Sequence, residues 1–183
     1  MSDAQWQQYL NIQIFATNWR KYIPETAPRD KDVFRNDMQF LEYVDLKYND
    51  PKSGNPVIIY LLSDNSKYAK RSPELKKLLN RIRRPTKIIL ITEEPLKIHS
   101  IRAINDKAFN HLQISVYRHE TFNIIVPNWS LCYPHRIMQH DEINRLLNNE
   151  LYGYLINLPK IQVNDAQCIW IGAEVGDVIE IKH

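Results

Sequence analysis

The chain has 183 residues, 44% of them apolar and 25% charged, with a formal net charge of +3. That length suits one or two small domains, and that balance is ordinary for a folded protein. No apolar run approaches the roughly 20 residues of a membrane span, and MSDAQWQQYL lacks the basic patch and apolar core of a secretory signal, so neither class is indicated. Cys132 and Cys168 form no CxxC pair; one disulfide is open to them, and free thiols in a reducing compartment are the expectation.

Residues 4–22 carry Trp6, Tyr9, Leu10, Gln13, Ile14 and Thr17 at helical spacing, and Pro24 and Pro28 end that amphipathic helix. Lys31 to Phe40 predicts a second helix and Leu41 to Tyr48 a strand. Asn49 to Pro56 is dense in turn formers, and Val57 to Leu62 is apolar throughout, as a buried strand is. In Ser72-Pro73-Glu74 the serine is placed to cap a helix, proline suits the first helical position, and the acid complements the positive helix end. Leu75, Leu78, Leu79 and Ile82 share one face of that helix, with Lys76, Lys77, Arg81 and Arg84 mostly outside the stripe, and Pro85 as its stop. Lys87 to Thr92 predicts a buried strand. A helix with Leu96, Ile98, Ile101 and Ile104 at apolar positions follows. Leu112 to Tyr117 and Phe122 to Val126 predict a hairpin joined through 118–121.

Strands alternating with helices predict an α/β (α+β) fold class, with a three-layer or two-layer α/β domain over residues 1–130. Residues 131–183 predict a small α+β domain. Asp141 to Leu151 is a helix with Ile143, Leu146 and Leu147 on one face, and Leu158-Pro159 breaks the chain. Asp165 caps a helix over 166–171, Gly172 is its left-handed stop, Gly176 closes a turn, and Val178 to Lys182 is a strand. About fifty residues are few for an independent core, so this end is expected to pack on its neighbour or on another protein.

From Ser66 to Lys87 lie Lys67, Lys70, Arg71, Lys76, Lys77, Arg81, Arg83, Arg84 and Lys87, with Glu74 the sole acid. Such a segment is either a solvated helix face or a surface for nucleic acid or an acidic partner.

The C-terminal third resembles the C-terminal domain of the subunit shared by all eukaryotic nuclear RNA polymerases, their fifth, and of its archaeal counterpart. The matching residues, in order, are Pro134, His135, Met138, Asp141, Glu142, Leu146 and Leu147; then Leu158, Pro159, Lys160, Ile161 and Gln162; then Asp165, Trp170, Gly172 and Gly176; then Val178, Ile179 and Ile181. Ala166 replaces the usual proline, Glu174 and Val175 replace two basic residues, and relatives continue into a further strand, which implies an open edge or a truncated sequence. ISVYRHETFNIIVP and IWIGAEVGD look like the versions in large cytoplasmic DNA viruses.

The resemblance implies a non-catalytic subunit of a multisubunit DNA-dependent RNA polymerase, with no cofactor in this chain. Its N-terminal jaw domain would sit in the lower jaw near downstream DNA, with Lys76, Lys77, Arg81, Arg84 and Lys97 candidates for DNA proximity. Lys97 lies in the stretch Glu94 to Lys97, which corresponds to a loop that approaches DNA in the family. Its C-terminal assembly domain would dock on the largest subunit through Pro134, His135, Leu158, Pro159, Ile161, Asp165, Trp170, Gly172 and Gly176, beside a small shared omega-like subunit. If viral, it would reside in the virion and the host cytoplasm; otherwise in the nucleus.

Two rival readings stand beside this one. Asp45-x-Lys47 on a strand, with Asp37 upstream, has the residue types of a Mg²⁺-dependent nuclease. The basic segment admits a stand-alone nucleic-acid-binding module. Cys132, His135 and His140 fall short of the four ligands of a structural zinc site, and His135 is expected to make a hydrogen bond instead.

Overall fold

A computed structural model describes residues 2–63, 66–149 and 153–182. The chain forms two compact units, Met1–Asn123 and Ile124–His183. The sequence reading places this change at 130–131.

In the first unit, helix α1 (Asp3–Ile14) starts at a capping box: Ser2 Oγ accepts the Gln5 N–H at 3.3 Å, and Gln5 Oε1 accepts the Ser2 N–H at 3.1 Å. It widens into a π turn over Phe15–Trp19, where the Arg20 N–H donates to the Phe15 carbonyl. Strand β1 (Ile23–Pro24) and helix α2 (Lys31–Phe40) follow; the Asp30 carboxylate caps α2 by accepting the Asp32 and Val33 N–H groups. Strands β2 (Tyr43–Asn49) and β3 (Pro56–Leu62) form an antiparallel hairpin. Its turn is held by Asp50, which accepts the Lys52 N–H and the Ser53 hydroxyl, and by Gly54 at φ 70°.

Helices α3 (Lys67–Lys70) and α4 (Ser72–Leu79) lead to β4 (Thr86–Thr92), and α5 (Ile98–Ile104) leads to β5 (Leu112–Arg118). The sheet order is β1-β2-β3-β4-β5, with β3, β4 and β5 parallel. Alternation along the strands splits the core in two. On one face Tyr60, Leu62, Ile88 and Leu90 pack with Leu75, Leu78, Leu79, Leu96 and Phe109 under the α3–α5 layer. On the other face Ile59, Leu61, Ile89 and Ile91 are buried, and α1 is drawn there by Phe15 against Tyr117, 6.4 Å between ring centres. The unit is therefore a three-layer sandwich, and the whole is mixed α and β.

Four expectations need correction. Ser72 is the first residue of α4 and caps nothing; an unpredicted short helix, α3, capped by Ser66, fills the space before it. Helix α4 ends at Leu79, so Arg81 and Arg84 leave the helix and lie in the turn to β4. Ile98 and Ile101 are exposed, and only Leu96 and Ile104 of that set reach the core. Phe122 to Val126 is not a strand: 119–122 is a 3₁₀ turn, because Phe122 is fully buried against Phe15 and its carbonyl accepts Asn11 Nδ2–H at 2.8 Å. Burial of the aromatic ring on α1 outweighs the pairing a hairpin would give.

The second unit holds β6 (His135–Ile137), α6 (His140–Asn149), α7 (Ala166–Ile171) and β7 (Ile179–Ile181), with β6 and β7 antiparallel. The expected continuation of α6 to Leu151 lies outside the described residues. Among the described residues no helix is long and apolar enough to cross a membrane.

Candidate functional site

The second unit is built around one short helix and one ribbon. The Asp165 carboxylate caps α7, accepting the Gln167 N–H at 2.8 Å. Gly172 ends the helix at φ 84°, where its N–H and that of Ala173 both donate to the Cys168 carbonyl, the geometry of a left-handed C-cap. Gly176, at φ 101°, lets the chain reverse: Asp177 Oδ2 accepts the Glu174 N–H at 2.7 Å and the Glu174 carbonyl accepts the Asp177 N–H. The chain then runs into β7.

In the ribbon His135 faces Ile181, Arg136 faces Glu180 and Ile137 faces Ile179. Beyond the paired residues, the Pro134 carbonyl accepts the Lys182 N–H and the Val178 carbonyl accepts the Met138 N–H. One residue ties the ribbon to α6. Arg136 donates from both terminal nitrogens to Glu142, at 2.7 and 2.8 Å, and from Nε to Glu180 at 2.5 Å. Glu142 also accepts the Gln139 N–H at 2.7 Å. The Arg136 fork, then the backbone N–H, hold the Glu142 carboxyl down at about 2.

Trp170 and Cys168 are buried, so the tryptophan belongs to the core beneath the surface and presents no face to a partner. Pro134, Pro159, Ile161 and Gly176 are exposed, Leu158 is half-buried, and His135 Nδ1 lies 2.7 Å from the Tyr133 carbonyl. The unit leaves much apolar surface uncovered: Leu131 is 76% exposed, Ile156 77% and Val175 91%, and Tyr133, Tyr154 and Val163 are each more than half exposed. This surface is richer than the sequence reading anticipated. The apolar run Tyr154-Leu155-Ile156 before Leu158-Pro159 was the available signal, but periodicity does not separate an apolar turn left open from one that is buried.

Residues 124–183 match the family model described as RNA polymerase Rpb5, C-terminal domain. The C-terminal unit belongs to the shared Rpb5 family. Rpb5 is a non-catalytic subunit of RNA polymerase, and the match covers the C-terminal unit alone. The match begins at the first residue of the second unit, so the open apolar surface lies on the Rpb5 domain. No curated protein matches the chain.

The N-terminal unit, outside the matched residues, carries the basic residues. Lys76 donates to Asp106, thirty residues on, at 2.6 Å and Lys77 to Glu74 at 2.9 Å, and Lys67 Nζ lies 3.9 Å from Glu42, so these cations of the segment are paired within the chain. The lysine bonds lower the pKa of both carboxyls. Arg81 and Arg84 are exposed and make no ion pair among the described residues. Lys97 is exposed at the start of α5.

Asp37 and Asp45 do come together, but around a cation of the chain itself. Arg29 Nε donates to Asp37 at 2.7 Å, and its terminal nitrogens donate to the Asp45 carboxylate at 2.9 Å and carbonyl at 2.6 Å. Lys47 Nζ lies 3.4 Å from the other Asp45 oxygen. The guanidinium stands where a metal ion bridging the two acids would have to stand.

Proposed function

We propose that this chain is an assembly and jaw subunit of a multisubunit RNA polymerase. Its C-terminal unit docks on the largest subunit, beside a small omega-like subunit, and its N-terminal unit lies near downstream duplex DNA. The observation that carries the reading is the coincidence of the Rpb5 match with a unit of sixty residues whose apolar surface is left open. Such a surface is costly in water and marks an interaction site. Pro134, Leu158, Pro159, Ile161 and the turn from Gly172 to Gly176 would form or shape it, with Trp170 and Asp165 holding it from within. Exposed Arg81, Arg84 and Lys97 supply the positive field toward DNA.

The likeness to versions from large cytoplasmic DNA viruses supports placing the chain in a viral transcription apparatus, in the virion and host cytoplasm. The test is purification of the tagged full chain from its native source: the two large polymerase subunits should accompany it, and their absence would refute the proposal. The nuclease reading is disfavoured by Arg29. Incubation with labelled DNA and Mg²⁺ should give no cleavage; cleavage lost in Asp45→Ala would revive it.

A further inference from the structure

The five-stranded sheet has two unlike edges. β1 is two residues long and ends in a proline, which discourages further pairing. β5, at the other end, runs for seven residues as LQISVYR, without proline, lysine or an acid. Its register with β4 is unbroken from Leu112 to Arg118, so no bulge twists it away, and among the described residues β4 is its sole strand neighbour. An edge of this length without such devices is a template for another strand. We propose that the outer edge of β5 binds an extended segment of another protein as a sixth strand. That segment carries two apolar residues at alternating positions and a carboxylate at the next position of the same alternation. The site is independent of the proposed docking of the C-terminal unit.

Three observations give the segment its chemistry. Alternation puts Ile114, Val116 and Arg118 on one face of β5, and Ile114 and Val116 are partly buried there against the core under α3–α5. Helix α5 supplies the second. It leaves Ile98 55% and Ile101 40% exposed. His99 lines a cleft shared with the start of α4, so its flank of α5 faces α4. Ile101 is about 200° round the helix from His99 and therefore lies on the other flank, on the β5 side. A strand added to β5 brings its apolar side chains against Ile114, Val116 and Ile101. The third observation is polar. Arg118 Nε is buried without a hydrogen-bond partner among the described residues, and Arg118 Nη2 lies 3.7 Å from exposed Glu120. A carboxylate on the added strand opposite Arg118 completes the guanidinium, with Glu120 as its competitor. The same need argues against a second copy of this chain as the occupant, because LQISVYR holds no carboxylate.

The experiment is amide NMR of the full chain titrated with capped peptides in which threonine alternates with two valines and then a glutamate. They are made in forward and reversed order, for parallel and antiparallel pairing. One of the two should bind saturably, with a Kd below about 1 mM and its largest shifts along 113–118. Methylating alternate backbone nitrogens of that peptide gives two forms, blocked on opposite edges. One should lose binding about tenfold or more and the other about twofold or less. Glutamine for the peptide's glutamate, or Arg118→Gln in the chain, should each weaken binding about fivefold, and both together no more than either. Ile101→Glu should weaken it about tenfold, while Lys52→Glu, a larger change of charge in the far hairpin, leaves it unchanged. Binding of neither peptide, or equal binding of the two methylated forms, would overturn strand addition. Equal binding of the glutamate and glutamine peptides would overturn the carboxylate assignment. A chain that sediments as a dimer broken by Ile101→Glu would also overturn the proposal, giving the edge to a second copy.

Discussion

Arg29 shows how one residue settles what a local pattern leaves open. Asp37 and Asp45 have the residue types for metal chemistry, and in the fold both converge on a guanidinium whose side chain is 23% exposed. Removing that cation leaves two carboxylates facing each other in a partly desolvated place. Arg29→Met is expected to destabilise the first unit by about 2 kcal/mol, since charge-assisted bonds at a site between surface and interior are lost and repulsion appears. Adding Asp37→Asn should restore part of that, as read from urea midpoints; equal midpoints for the single and double variants would mean the repulsion is negligible. Gly172 is the second such residue. At φ 84° a β-branched side chain is strained, so Gly172→Val should cost about 2 kcal/mol or more, and Gly172→Asn distinctly less. If the α7 stop shapes the docking surface, copurification of the largest subunit should fall with valine and persist with asparagine.

At the scale of elements, the Arg136 fork makes the second unit dependent on pH. The Glu142 carboxyl is lowered from 4.5 to about 2 in the fold, so its contribution to stability is fully present above about pH 4.5 and is lost as pH falls toward 2. The gap in melting temperature between the native chain and Glu142→Gln should therefore be constant at neutral pH and close between those limits. A gap that does not change with pH would show the fork to be structurally idle. Elements of this kind divide what the sequence can and cannot reveal. Helix α2, strands β2 to β5 and β7, and the α7 cap with its glycine stop were legible, because each is set by residues within a few positions of one another, as with Asp165 before α7 and Gly172 after it. The turn at Phe122, the early end of α4 and the Arg136 network were not. Each depends on a partner far along the chain, such as Asn11 for Phe122 or Glu180 for Arg136, 44 residues away. The open apolar surface was only half legible, as an apolar residue reads alike whether its cover is its own chain or another.

For the whole molecule, two units with unlike surfaces predict separable defects. The Rpb5 domain exposes apolar side chains, and the first unit exposes arginines; assembly should follow the former and transcription on DNA the latter. The substitutions that test this must avoid charges with structural work. Lys76 bonds Asp106 and Lys77 bonds Glu74, so reversing either confuses folding with function. Arg81 and Arg84 lie in an exposed turn past α4, and surface changes of that kind alter stability by roughly 0.5 kcal/mol or less. Arg81→Glu with Arg84→Glu should therefore leave the melting temperature and the yield of assembled polymerase unchanged. Each reversal replaces attraction to phosphate with repulsion, so transcription from duplex templates should weaken more steeply with added salt than that of the native enzyme. If instead the variant assembled polymerase transcribes with the native salt profile, the basic turn faces solvent in the complex and the jaw assignment of the first unit fails, while the docking of the second stands.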